Sequence, residues 1–143
     1  MKQLPCFARS SIDEIIASWH GICGVDYEPA KYDGYSEEAD QVFRDVLRAH
    51  LADKAVNVVL DRSFYAKEDR DYFKTMIEAS CARWVLVYLK LETEILWSRI
   101  CDRRKEEINA NSAFDISVEL FKRYVDGFEH PDGEGEIIVE YTA

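Results

Sequence analysis

The sequence predicts an α/β domain built on a parallel sheet with helices on both faces, a three-layer arrangement. Val58, Val59 and Leu60 form an apolar, largely β-branched run without polar alternation, the pattern of a strand buried on both faces. Trp84 to Leu89 (W-V-L-V-Y-L) is a second run of this kind. Stretches at helical spacing separate these runs. The resulting order, strand–helix–helix–strand–helix–strand–helix–helix–strand, requires right-handed crossovers between parallel strands.

Taken from the N-terminus, Cys6 to Ser10 reads as a short strand after Pro5, and Ser10 or Ser11 as the N-cap of a helix over Ile12–Trp19. From His20 to Tyr35 the pattern breaks into a glycine- and tyrosine-rich loop of about fifteen residues, a length more often functional than idle. Tyr27, Tyr32 and Tyr35 serve there as packing anchors or as stacking surfaces for a ligand, and His20 reads as a helix-end residue. Ser36 then caps a helix whose core face is Ala39, Val42, Phe43, Val46, Leu47 and Leu51. The central strand follows from Val56. A helix from about Glu68 to Ser80 turns Phe73, Met76 and Ile77 inward, and another starting at Thr93 carries Ile95, Leu96 and Ile100. Ile108–Phe114 is a polar connection, Ser117 caps the last helix, and Glu136–Tyr141 closes the chain as a strand after the turn-rich His130–Gly135.

Composition bounds the function. A chain of 143 residues reads as a single domain over 1–143, large enough to bury roughly two thirds of its unfolded surface. The N-terminus M-K-Q-L-P-C-F-A-R has no long apolar h-region, and no apolar run approaches the ~20 residues of a membrane span. Cys6, Cys23, Cys81 and Cys101 show no C-x-x-C pair and no metal spacing, which predicts reduced, structurally buried thiols in a cytoplasmic protein. The net charge of −10, from 28 acidic against 18 basic residues, argues against binding to duplex nucleic acid. Basic residues concentrate in one place, Arg99, Arg103, Arg104 and Lys105.

Candidate site residues follow from strand ends. Asp61 ends the central strand, and ligands of open α/β sheets bind at the carboxyl edge. An acid there either caps the turn into the next helix or stands beside a hydrated Mg²⁺ at a nucleotide phosphate. Asp13 sits in the first turn after the first strand, where the helix dipole accounts for an acid and a cleft-facing role stays open. Arg99 and Arg103 are one turn apart on one helix side, where pairing with Asp102, Glu106 and Glu107 at a solvated basic helix end accounts for them.

The segments S-I-D-E-I-I, H-G-I-C-G-V-D-Y, Y-S-E-E-A-D, N-V-V-L-D-R-S-F-Y-A-K-E-D-R-D, R-W-V-L-V-Y-L-K and S-A-F-D-I-S, in this order, resemble the P-loop kinase-like group of AAA-type ATP-binding domains, related to zeta toxins, polynucleotide kinases and small-molecule phosphotransferases. The resemblance runs from about Leu4 to Tyr141 and is most specific in the central segment. It implies transfer of the γ-phosphoryl group of ATP, with Mg²⁺, to a hydroxyl of a small molecule or nucleotide. It also implies roles for single residues: Asp13 as general base, Arg99 and Arg103 as catalytic arginines of a lid, Arg62, Arg103 and Arg104 as cofactor-binding residues, and Asp61 as the metal-side acid. The loop from His20 to Tyr35 then shapes the acceptor pocket.

One element of that pattern is absent. None of the six glycines is followed by lysine, so G-x-x-x-x-G-K-[S/T] does not occur. That loop wraps phosphates with backbone N–H groups and places Lys and Ser/Thr on the γ-phosphate and Mg²⁺. Relative to the family, the first strand, the loop and most of a helix are missing, so the expected fold is a P-loop-type sheet lacking its first strand. Loss of an interior strand leaves edges unpaired, open to a strand from a partner chain. Two functions are therefore expected: a phosphotransferase fold that needs its phosphate loop for activity, or a non-catalytic interaction module using the exposed edge.

Overall fold

The computed structural model describes residues 6–54, 56–106 and 116–141. Among the described residues nine helices and strands follow one another in the expected order, with a 3-10 turn added before the second helix. They are β1 (Phe7–Ser11), α1 (Ile12–His20), a 3-10 turn (Pro29–Lys31), α2 (Tyr32–Ala52), β2 (Asn57–Asp61), α3 (Lys67–Ala79), β3 (Val87–Lys90), α4 (Thr93–Arg103), α5 (Val118–Gly127) and β4 (Ile137–Glu140). The protein is mixed α/β, and every strand pairing is parallel. The strands form two separate two-stranded sheets, β1–β2 and β3–β4, where the sequence predicts one three-layer sheet. The described residues up to Ser63 make one compact unit and those from Phe64 a second.

In the first unit β1 and β2 pair in the register Phe7↔Asn57 through Ser11↔Asp61, so both strands end at the same edge. Ser11 caps α1 by accepting a hydrogen bond from the Glu14 N–H at 3.4 Å, which satisfies one of the four N–H groups that a helix start leaves open. α1 and α2 pack on this pair. The core is Ile16, Cys23, Ala39, Phe43 and Leu47, with Ser10 and Ser11 buried beneath the strand end. Ala39, Phe43 and Leu47 are the four-spaced stripe of α2, and Phe43 and Leu47 each contribute about 1.5–3 kcal/mol by leaving water.

Three expectations are corrected here. Val59 is 45% exposed while Val58 and Leu60 are half-buried. The central strand is thus covered on one face only, because a two-stranded pair has no interior strand. α2 begins at Tyr32, four residues before Ser36. Pro29 opens a 3-10 turn that runs directly into the helix, so Gly34 and Tyr35, read as loop, are helical. The loop is correspondingly shorter. Of the four cysteines, only Cys23 is buried; Cys6 and Cys81 are exposed. Cys6 precedes the first strand, and Cys81 follows the end of α3 with φ +57, outside any packed element.

In the second unit α3 buries Phe73, which meets Phe64 edge to face with ring centroids 5.4 Å apart. α5 buries Phe121 against Trp97, with centroids 5.0 Å apart. Ser117 caps α5 through the Leu120 N–H at 3.1 Å. The second apolar run is strand only from Val87, and Val85, Val87 and Leu89 are exposed. A lone pair of strands again covers too little. Arg70 is 2% exposed and reaches Glu134 by two hydrogen bonds, Nε at 3.0 Å and Nη2 at 2.9 Å, and donates through Nη1 to the Phe64 carbonyl at 2.8 Å. This buried fork fastens the turn before β4 to α3. The polar connection Ile108–Phe114 lies outside the described residues. Among the described residues, no helix is long and apolar enough to cross a membrane.

Candidate functional site

The parallel register decides what meets at the carboxyl edge of the first unit. Ser11 and Asp61 stand opposite each other at the ends of β1 and β2, and the chain turns from Ser11 straight into α1. Asp13 and Glu14 in the first turn of that helix are thereby brought to the same edge as Asp61. Arg9, two residues before Ser11, completes the group. Its Nε and Nη2 donate to Asp61 Oδ2 at 3.0 and 2.5 Å, and its Nη1 pairs with Glu14.

Asp13 has a different environment. Tyr32 Oη, at the start of α2, donates to Asp13 Oδ1 at 3.0 Å. The residue as a whole is solvent-exposed, yet desolvation of its carboxyl by surrounding protein raises its pKa above 3.8. The Tyr32 hydrogen bond opposes this, and the charge of Asp61 adds to it. Tyr27 has its phenol pushed up to about 12, first by burial, then by Cys23, with Asp13 and Tyr35 adding. Tyr35 stacks on His20, with ring centroids 3.6 Å apart, and His20 Nε2 lies 2.9 Å from Glu38 Oε2. The three tyrosines thus act as anchors that fix the loop against α1 and α2. His20 ends α1, as its sequence position predicts.

No protein-family model, curated protein or solved structure matches the chain significantly. The site is therefore read from its own geometry.

Arg62, expected at a cofactor, is turned onto α2. Its Nη1 donates to Asp40 Oδ1 at 2.6 Å, Arg44 holds the other Asp40 oxygen at 2.7 Å, and its guanidinium stands 5.7 Å from the centre of the Phe43 ring. Arg99, Arg103 and Arg104 belong to the second unit, and Asp13 and Asp61 to the first. Arg99 lies over the Tyr141 ring at 5.3 Å, and Arg104 lies over Trp97 at 5.6 Å and donates to the Ile116 carbonyl. Arg103 sits exposed in the last turn of α4. Arg99 and Arg104 are thus partly occupied by aromatic faces, a favourable arrangement for guanidinium.

The groups that the resemblance implies fit these residues poorly. Among the described residues no set of three or more His, Cys, Asp or Glu side chains is placed to hold a metal ion, and the Asp61 carboxylate is taken by Arg9. One turn does present converging backbone N–H groups, but Glu136 fills it. Its carboxylate accepts from Gly133 N–H at 3.2 Å and Glu134 N–H at 2.8 Å, and hydrogen bonding from its own backbone N–H first, then from those of Glu134 and Gly133, holds it below the ordinary carboxylate range. It offers no open cradle for a triphosphate.

Sequence reasoning missed Arg9, Glu14 and Asp40 as partners in this region, and read Tyr32 as a packing anchor or a stacking surface rather than as the partner of Asp13. Arg9 and Asp61 are 52 residues apart, and only the strand register, which no local pattern states, puts them together.

Proposed function

We propose that the β1–β2 edge is the acceptor side of a kinase-like phosphotransferase fold, where Asp13 takes the proton of an acceptor hydroxyl. The observation that carries this reading is the Asp13 carboxyl itself. It stands at the carboxyl edge of a parallel pair, is oriented by Tyr32 at 3.0 Å, and has its proton affinity raised by desolvation. A general base gains from each of these features, since it must point at its substrate and bind a proton more readily than a free carboxylate. The acceptor is a small molecule or nucleotide carrying a free hydroxyl. ATP would supply the γ-phosphoryl group in such a fold, with Mg²⁺ beside the phosphates. The described residues contribute proton acceptance and orientation, and no cradle for the triphosphate.

On this reading the fold is of the P-loop type, with a three-layer parallel sheet that lacks its first strand and phosphate loop. The element order and the all-parallel pairing of β1–β2 and β3–β4 support it. Arg99, Arg103 and Arg104 are then the lid side of the fold. Calorimetric titration of the chain with Mg·ATP, beside the same chain extended by a family-like strand, phosphate loop and helix, tests the proposal. Micromolar binding by the extended protein alone, and phosphorylation of an acceptor that Asp13→Asn abolishes, are expected. Failure of the extended protein to bind nucleotide sinks the reading.

A second reading has its own observation. Val59, Val87, Leu89, Ile137 and Ile138, all on strands, are exposed, whereas parallel sheets are normally covered on both faces. A chain of this kind binds a partner by pairing a strand at a sheet edge, without catalysis. Nucleotide binding by neither form of the protein, together with capture of a strand-forming peptide, is the outcome that favours it.

A further inference from the structure

We infer that Arg9 is a built-in counter-ion that keeps a divalent cation off Asp61. The inference rests on the reading of Asp61 as the metal-side acid of a kinase-like fold, and deepens it by naming what occupies that acid in this chain. Arg9 leaves β1 at the residue that faces Val59 across the pair. Its guanidinium spans the gap between the end of β2, at Asp61, and the first turn of α1, at Glu14.

The chemistry of the pair excludes a metal ion at the same oxygen. Asp61 Oδ2 accepts two N–H groups, at 3.0 and 2.5 Å, from a side chain that does not lose its proton in proteins. Mg²⁺ and Mn²⁺ need oxygen ligands at close to 2 Å in near-octahedral geometry, and such sites usually recruit one or two carboxylates. A divalent ion at this oxygen would stand roughly 4 Å from the guanidinium charge. Even in water-like dielectric that repulsion weakens binding by more than about tenfold. Removing the guanidinium leaves Asp61 and Glu14 without their cation, beside Asp13 in the same helix turn as Glu14.

The arrangement is also accessible. The side chains of Arg9, Asp61 and Glu14 retain 44%, 51% and 47% of their surface to solvent, so ions reach them without unfolding, and replacing Arg9 removes little from the core. The pair is a surface bridge whose contribution to stability is small. Its consequence lies in which cation the edge holds.

The test is Mn²⁺ binding, measured by electron paramagnetic resonance of free Mn²⁺ and by water-proton relaxation, in the wild-type chain and in Arg9→Met, Arg9→Lys and Arg9→Met/Asp61→Asn, each checked for folding by circular dichroism. Arg9→Met is expected to bind Mn²⁺ about tenfold or more tightly than wild type. Arg9→Lys, which keeps the charge, is expected to stay near wild type, and the double variant to lose the gain. Equal binding by wild type and Arg9→Met, an equal gain in Arg9→Lys, or a gain that survives Asp61→Asn overturns the inference. Nucleotide plays no part in this assay. A gain in Arg9→Met without ATP binding by any extended form discards the kinase reading and keeps the role of Arg9, and the converse result does the reverse.

Discussion

Tyr32 Oη donates to Asp13 Oδ1 at 3.0 Å and so ties the first turn of α2 to the first turn of α1. The contact spans 19 positions of sequence and closes the glycine-bearing loop between the two helices. It stabilises the ionised form of Asp13, against a desolvation that favours the neutral form more strongly.

The balance at Asp13 sets a pH dependence. Its folded pKa lies above 3.8, so just above pH 3.8 the folded chain keeps a proton that the unfolded chain has released. Stability therefore falls as pH rises through that window, and the penalty is in full force at neutral pH. Asp13→Asn keeps the oxygen that Tyr32 reaches and removes the titration. It is expected to raise Tm at pH 7, with no gain left well below pH 3.8. Thermal melts of both proteins between pH 3 and 8 measure this, and a loss of Tm at neutral pH contradicts it.

The Arg70–Glu134 fork behaves in the opposite sense. Hydrogen bonding from Arg70, with the charges of Arg70, Lys74 and Lys67 adding to it, holds the Glu134 carboxyl below its ordinary 4.5. Its contribution is present above pH 4.5 and is lost as pH falls through the lower folded value. Glu134→Ala leaves the buried guanidinium without its carboxylate and is expected to cost about 3–5 kcal/mol, whereas Arg70→Met/Glu134→Leu recovers most of that loss. Urea denaturation at pH 7 separates the two, and a double variant as unstable as the single one would refute the assignment.

Phe43 has no exposed surface, and Leu47 lies one turn further along α2 on the same face. Phe43→Ala is expected to destabilise the first unit by about 3–5 kcal/mol and Leu47→Ala by about 2–5 kcal/mol. Because they are buried one turn apart on the same helix face, the double variant is expected to be non-additive. Chemical denaturation followed by far-ultraviolet circular dichroism reads both effects.

Gly21 ends α1 with φ +84, and a Cβ built there would collide with the Asp26 carboxylate. That oxygen accepts the Ile22 N–H at 2.7 Å. Gly21→Ala therefore strains the backbone and dislodges the aspartate that closes the turn, at a cost of at least about 1 kcal/mol. Hydrogen exchange is expected to quicken at Ile22 and its neighbours in this variant, and unchanged protection there would show the turn to be less constrained than its geometry implies.

Element order was legible because each helix has its own three-and-four spacing and each strand its own apolar run. Ala39, Phe43 and Leu47 are buried as their spacing requires, Ser11 and Ser117 cap the helices that follow them, and Asp61 ends its strand. Element boundaries were less legible where two signals competed. At the start of α2, Gly34, Tyr32 and Tyr35 read as loop, while the proline at position 29 opened a helical turn that ran through them. The destination of Arg62 was hidden as well, because Asp40 lies on a helix that only packing brings beside it.

The sequence by itself determined the α/β order and the residue types at the strand ends, since these depend on periodicities and caps within a few residues. Tertiary structure alone decided that the strands pair two by two, that Val59 faces solvent, and that Arg9 rather than open space confronts Asp61. Those outcomes depend on register and on contacts between distant segments, where a shift of one residue would turn Arg9 to the other face of the sheet and leave every local pattern unchanged.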